Sequence, residues 1–285
     1  MTAPQDPLDG AAEPTVVTLP DGAACALAAA ERVVEILAVA IDDHDEAHWV
    51  TTGGSTPGAI YQHLAHTALR DELDWRKVHL WFTDDRFVPP DHPLSNAKIA
   101  YDVLLNVAHL SGESGTGGLG GDVVLGRTGG VLIPGDQVHP FDTSAAIGGG
   151  HDEEWCARAY ADDIRANGPD PNDDGWPVFD LILLGMGPDG HILSVFPGST
   201  TFDRTEWALA VPAPTHVEPH ISRVTLNPAI VSAAAELLMV SHGAGKAETV
   251  RDVLRGPRDE RALPAQLARR PGATWILDRE AARLL

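Results

Sequence analysis

Three polar stretches of this chain follow apolar runs and hold residue types that can move a proton or grip an anion. The first is FDLILLGMGPDGHILSVFPGS, Phe179 to Ser199. Its glycines, Gly185, Gly187 and Gly190, keep the spacing G-x-G-x-x-G of a dinucleotide-binding turn. Such a turn must open a helix that receives the pyrophosphate. Here Pro197-Gly198 leaves His191 to Phe196 at most about two turns, and no acid-terminated second strand follows at the usual distance. The competing use of the glycines is to bring Asp189 and His191 to the end of a strand. Histidine titrates near neutrality and can take a proton from water, and a nearby carboxylate can set its tautomer. Proton transfer ranks first for this stretch, a structural loop second and a nucleotide turn third.

The second stretch is TTGGSTPG. Gly53 and Gly54 permit a tight turn, and Ser55 and Thr56 place hydroxyls where a helix starting near Pro57 presents free N–H groups. A phosphate cradle and a plain Ser/Thr-capped turn fit equally well. It is not a Walker A loop, because Ala59 and Ile60 occupy the places of Lys and Ser/Thr. The third stretch is TDDRFVPPDHPLSN. Asp84, Asp85 and Arg86 could orient hydroxyls and a phosphate, although a solvated charged turn accounts for them as well. Arg223 at the start of a strand, and Lys246 in HGAGKAE, each read singly as a surface charge, but together could neutralise a substrate phosphate at the same edge. Lys246 stands out because the chain has only Lys77, Lys98 and Lys246.

The elements that must position these loops alternate. Leu27, Ala30, Val34, Leu37 and Ile41 recur at helical spacing. Helices are expected over 25–40, from Pro57, over 97–105 behind a Ser95 cap, over 152–166, over 246–254, and to Leu285 at the end. Strands are expected at 47–52, 78–82, 179–184, 223–226, 237–241 and 274–277, with TDDRFVPPDHPLSN as loop. Alternating strands and helices imply a mostly parallel sheet covered on both faces. Residues 1–14 read as a tail without a secretory signal, and the Gly-rich run 111–130 as a mobile insertion in a single domain over 15–285.

The chain has 285 residues, 44% hydrophobic and 21% charged, with a net charge of −21. That charge argues against nucleic acid or an anionic membrane as partner, and no apolar run approaches the ~20 residues of a membrane span. Cys25 and Cys156, in helix-like contexts, read as two buried thiols of a reducing, cytoplasmic setting. The 13 histidines show no zinc-ligand spacing, and no G-x-S-x-G elbow supports a serine hydrolase. Neither a metal nor an organic cofactor is expected.

Taken in order, TGGSTP, TDDRFVPPDHPLSN, LLGMGPDGHILSVFPGS, SRVTLN and GAGKAETV resemble the 6-phosphogluconolactonase family from about Leu19 to Leu285. The resemblance implies a three-layer α/β/α, Rossmann-like fold of the kind shared with glucosamine-6-phosphate deaminases, ribose-5-phosphate isomerase and CoA-transferase domains. It also implies hydrolysis of 6-phosphogluconolactone to 6-phosphogluconate. It places the catalytic histidine at His191 and the acid and arginine of the family's D-E-R segment at Asp84 and Arg86. The phosphate-side loop falls at Gly53, Gly54, Ser55 and Thr56, with basic residues near the phosphate at Arg223 and Lys246. Asp189 is a candidate to orient His191. The partner implied is a small phosphosugar lactone, bound by a monomer or small homo-oligomer. Asp85 stands where the family usually has Glu, and Ile192-Leu193 where Thr-Ala is usual. A deaminase-like activity on another sugar phosphate is the alternative, but the acid those enzymes carry before the proline is missing ahead of Pro197. A non-catalytic sugar-phosphate sensor is the third reading.

Overall fold

The computed structural model describes residues 13–66, 68–106 and 129–285. The expected tail over 1–14 falls outside them except for Glu13 and Pro14, and the expected insertion over 111–130 except for Gly129 and Gly130. Ten strands are described: β1 Thr15–Leu19, β2 Ala47–Thr51, β3 Val78–Phe82, β4 Asp84–Arg86, β5 Val138–His139, β6 Leu181–Leu184, β7 Ala208–Val211, β8 Arg223–Leu226, β9 Glu236–Ser241 and β10 Ala273–Asp278. Seven α-helices accompany them: α1 Gly22–His44, α2 Ser55–His66, α3 Asn96–Ile99, α4 Thr143–Gly148, α5 Glu153–Asn167, α6 Pro228–Ala233 and α7 Ala247–Arg255.

Seven strands form one parallel sheet in the order β1-β10-β9-β6-β2-β3-β5. The chain runs outward from β2 to β3 and β5, then returns to place β6 on the other side of β2. The crevice between β2 and β6 is therefore a point where strand order reverses, the usual ligand position in such sheets. Side chains alternate between faces. Trp49 meets Tyr61 of α2 on one face, and Trp81 meets Tyr160 of α5 on the other. Both faces being covered explains why β6, LILL, and β9, LLMV within ELLMVS, are apolar throughout and buried.

The remaining strands form a small antiparallel sheet, β4-β8-β7. This corrects one expectation, since Asp84–Arg86 is a strand and not a loop. The expected strand Arg223–Leu226 is present and belongs to the antiparallel sheet. Three polar residues beside two prolines carry no strand signal of their own. They become a strand because β8 lies alongside and pairs with them. Leu27 is the wrong edge of α1 and is 40% exposed, while Cys25, Ala26, Ala29 and Val33 face the core. Helix α2 begins at Ser55, two residues before Pro57. The expected helix 97–105 is one α-turn, α3, followed by a π-turn over Ala100–Leu104. After β10 the chain ends in turns, not a helix. Both cysteines are buried and free, Cys25 in α1 and Cys156 in α5.

On the α5 side of β2, β3 and β5 the rings of His48, His79 and His139 form a ladder, with His139 stacked on both His79 and Trp81 and His48 tilted against His79. The Trp81 indole can only donate, and it donates to His48 Nδ1 at 3.2 Å, so this ring must be neutral. His139 Nδ1 faces the Asp163 carboxylate at 3.1 Å, which leaves its Nε2 to accept from His79 Nδ1 at 3.1 Å. Burial holds His48 down at about 4 and lowers His79 as well, each positive neighbour adding to the effect and Glu46 opposing it. Histidines depressed in the fold bind protons more readily once unfolded. Stability is therefore full above the unfolded value of about 6.5 and drains as pH falls toward 4. We expect urea unfolding to show a loss on the order of 1–3 kcal/mol between pH 7 and pH 4.5. His48→Asn should lose less over that interval, and an equal loss would show that the ladder does not titrate this way.

Candidate functional site

Because the sheet is parallel, the carboxyl ends of neighbouring strands share one edge. The turns after β9, β6, β2 and β3 meet there around a cleft of about 310 Å³. Nine of the ten residues expected at the site line it: Gly53, Gly54, Ser55, Thr56, Asp84, Arg86, His191, Arg223 and Lys246. Asp189, the tenth, sits behind His191 and does not line it.

The turn after β6 decides the use of the G-x-G-x-x-G spacing. No helix follows it. Residues 192–195 form a tight turn closed by an Ile192–Val195 bridge. A Cβ on Gly187 would lie 2.1 Å from His191 Nδ1 and 2.6 Å from Asp189 Oδ1, whereas a Cβ on Gly185 would meet nothing within 4 Å. Gly190 has φ +83 and rests against Leu263. The glycines thus make room for a side-chain pair, not for a pyrophosphate. His191 Nδ1 and Asp189 Oδ1 are 2.5 Å apart, which leaves the histidine's Nε2 for the cleft. Burial pushes the Asp189 carboxyl upward, but the hydrogen bond and charge of His191 and the local backbone N–H groups outweigh it and hold it at about 2. An ionised carboxylate on Nδ1 fixes the tautomer in which Nε2 accepts a proton.

The two sheets meet at the opposite wall. Asp84 is buried, accepting from Ser194 Oγ at 2.6 Å, Thr83 Oγ1 at 2.9 Å and Asn96 Nδ2 at 3.2 Å. Asp85 points away from the cleft and caps α3. Its carboxylate accepts from the Asn96 N–H at 2.6 Å, the Ala97 N–H at 3.2 Å and the Ser95 hydroxyl at 2.8 Å. Ser95 therefore occupies the cap position without capping. Burial lifts Asp85 to about 6, with those donors and the nearby Asp84 acting in opposite directions on it.

Arg86 of β4 lies directly opposite Arg223 of β8 in the antiparallel register. Like charges placed opposite each other repel, and here each guanidinium has a buried Nε without a partner. Arg86 donates to Asn96 Oδ1 at 2.5 Å and to the Leu94 carbonyl at 3.0 Å. Arg223 lies over the Phe196 ring at 5.3 Å, and burial lowers its pKa despite the opposing charge of Asp84. Lys246 donates to the Met186 carbonyl at 2.6 Å and is likewise lowered by burial, with Asp189 raising it. Three partly desolvated cations and the start of α2 converge on a cleft in which Asp84 is the one carboxylate among the described lining residues.

Sequence reasoning missed three residues. Asn96 joins Arg86 to Asp84, and a Cβ on Gly53 would fall 2.0 Å from its Oδ1. His242 lies 3.1 Å from Thr56 Oγ1, and the Ser241 hydroxyl is buried without a partner. The SN and SH dipeptides hold all three. Their role rests on contacts across long sequence separations, which no local pattern records. Leu193, also in the lining, adopts φ +52, a conformation costing a non-glycine residue about 1–3 kcal/mol. Among the described residues no group of three or more His, Cys, Asp or Glu is arranged to hold a metal, and no helix is long and apolar enough to cross a membrane.

A model of the family of glucosamine-6-phosphate isomerases and 6-phosphogluconolactonase matches residues 20–276, and the chain belongs to that family. It is 32% identical over 272 residues to the 6-phosphogluconolactonase of Mycobacterium tuberculosis, covering 95% of this chain and 98% of that one. The solved 6-phosphogluconolactonase of Trypanosoma brucei superposes with a TM-score of 0.76 at 26% identity, over 95% of this chain and 98% of that one. A monomeric glucosamine-6-phosphate deaminase superposes with a TM-score of 0.72 over 95% of this chain and the whole of the other, but at 19% identity this is a likeness of fold alone.

The glycine geometry yields a paired prediction. Gly185→Ala should leave stability within about 0.5 kcal/mol of the parent, as for a change that meets open space. Gly187→Ala should cost about 1–3 kcal/mol, as for overpacking. Urea denaturation of both variants checks this, and equal values would mean that the pair behind Gly187 does not occupy that space.

Proposed function

We propose that the chain is a 6-phosphogluconolactonase. It hydrolyses 6-phospho-D-glucono-1,5-lactone to 6-phospho-D-gluconate in the oxidative pentose phosphate pathway. The observation that carries this reading is the cross-strand pair Arg86–Arg223, two guanidinium groups whose Nε atoms are buried without a partner, lining the same cleft as His191, whose Nδ1 is held by Asp189. A site of this kind suits a substrate with an anionic end and an electrophilic carbon. The family membership and the lactonases among its relatives support the same choice.

The phosphate sits at the start of α2, at Ser55 and Thr56, held by Arg223 and Lys246 with Arg86 beside them. Free N–H groups of the first helical turn and bidentate guanidinium contacts favour such a dianion. Anchoring the far end of the substrate fixes C1 near His191 and supplies remote binding energy. His191 Nε2 removes a proton from water as the oxygen attacks C1. The imidazolium that forms is stabilised by Asp189, and it returns the proton to the ring oxygen as the C1–O bond breaks. Atoms balance with water as the only co-substrate. Asp84, held by Ser194 and Asn96, positions substrate hydroxyls. The position before Pro197, acidic in the deaminases, is Phe196, whose ring packs on His191 at 4.8 Å. That leaves no third carboxylate there for ring opening of an amino sugar. The enzyme is expected to act in the cytoplasm as a monomer or small homo-oligomer.

The test is a coupled assay with freshly generated lactone, corrected for spontaneous hydrolysis. The wild-type chain should accelerate ring opening, and His191→Ala should lose ~10²–10⁴-fold in kcat, the usual worth of a general base. Arg223→Ala and Lys246→Ala should each raise KM by roughly 10-fold or more, the scale of a hydrogen bond to a charged group. Wild-type kcat/KM in His191→Ala would end the base assignment, and ammonia release from glucosamine 6-phosphate would favour the deaminase reading.

A further inference from the structure

Asp189 presents two oxygens, and His191 uses only one of them. Oδ2 is buried and makes no hydrogen bond of good geometry. His216 Nε2 lies 3.4 Å from it. His216 belongs to the segment between β7 and β8, and about half of its side chain is exposed. Its ring meets the edge of Phe196 at 5.5 Å, and Phe196 in turn packs on His191 at 4.8 Å and carries Arg223 over its face. One aromatic ring thus contacts the histidine in the cleft, the histidine outside it and a cleft arginine.

We propose that His216 is a positioning residue for the His191–Asp189 pair, holding the carboxylate oxygen that His191 does not use. A carboxylate gripped by one imidazole can rotate about its terminal torsion, which is broad and two-fold. Gripped on both oxygens, it presents Oδ1 to His191 Nδ1 in one orientation. The second contact also draws charge from the carboxylate, so it tunes how strongly Asp189 supports a positive His191. The groups facing Asp189 are His191, His216 and Lys246, whose charges interact with it. Those facing His216 are Asp189 and, across Phe196, Arg223. On its own segment Glu218 is turned to His220 at 3.7 Å.

The inference deepens the proposed lactonase reading and rests on it for its kinetic arm only. Because His216 is half exposed, its replacement leaves the core intact. In His216→Ala, kcat should fall by about fivefold, the scale of one net hydrogen bond, with KM unchanged. His216→Gln keeps an N–H donor and should recover most of the loss. The second arm needs no substrate. The His191 Nδ1 proton, assigned by its absence in Asp189→Asn, should resonate downfield of the amides. It should move in His216→Ala and return toward the parent position in His216→Gln. A resonance unmoved in His216→Ala overturns the proposal whatever the kinetics. So does a resonance that His216→Gln fails to restore. If the wild-type chain opens no lactone, the lactonase reading falls and the resonance alone judges His216.

Discussion

The cost that organises this molecule is the placement of Arg86 opposite Arg223. Two like charges on adjacent strands are unfavourable, and partial burial removes the water that would screen them. The fold tolerates the pair by surrounding it. Asn96 accepts from Arg86, Phe196 lies under Arg223, and the Asp84 charge acts on Arg223. None of these satisfies either Nε. In the proposed reading a bound dianion would lie beside both positive charges, and part of its binding energy would come from offsetting their repulsion.

That pair exists only because a second sheet is joined to the first. β3 ends at Phe82, Thr83 bridges back to Thr51 and Leu226, and β4 begins at Asp84. One residue separates a strand of the parallel sheet from a strand of the antiparallel one. The same junction buries Asp84 beside Ser194, a residue 110 positions away, and so ties the arginine wall to the loop that carries His191. Asp85 then faces the other way and caps α3, which explains a short acid at that position. Its work is to hold Asn96, and through Asn96 the arginine, with no part of it in the cleft.

The turn after β6 uses its glycines in an unexpected economy of space. Gly187 is empty because His191 and Asp189 fill the volume a side chain would need, and Gly190 turns the chain through a positive φ. Leu193 accepts a left-handed backbone beside them. Strain of this size at a cleft-lining residue is retained where the surroundings over-determine it, here through the closed turn Ile192–Val195 and the bond from Ser194 to Asp84.

Much of this was legible in the chain itself. Apolar runs such as LILL and LLMV identify strands of a covered parallel sheet, because burial on both faces removes the need for alternation. His191 was nameable because it follows a strand whose carboxyl end parallel pairing delivers to the common edge, whereas Asp84, Arg86, Arg223 and Lys246 were left open by local pattern and named through the order of motifs that resembles the family. What tertiary structure alone decided was pairing and register. Asp84–Arg86 has no strand pattern and is made a strand by β8, and only that register sets Arg86 against Arg223. Asn96, His216 and His242 acquire meaning from partners 12, 27 and 186 residues away. Local spacing encodes which residues share a turn or a face. It does not encode which oxygen of a carboxylate is left for a residue on another strand's loop, and that is where the geometry of this site is set.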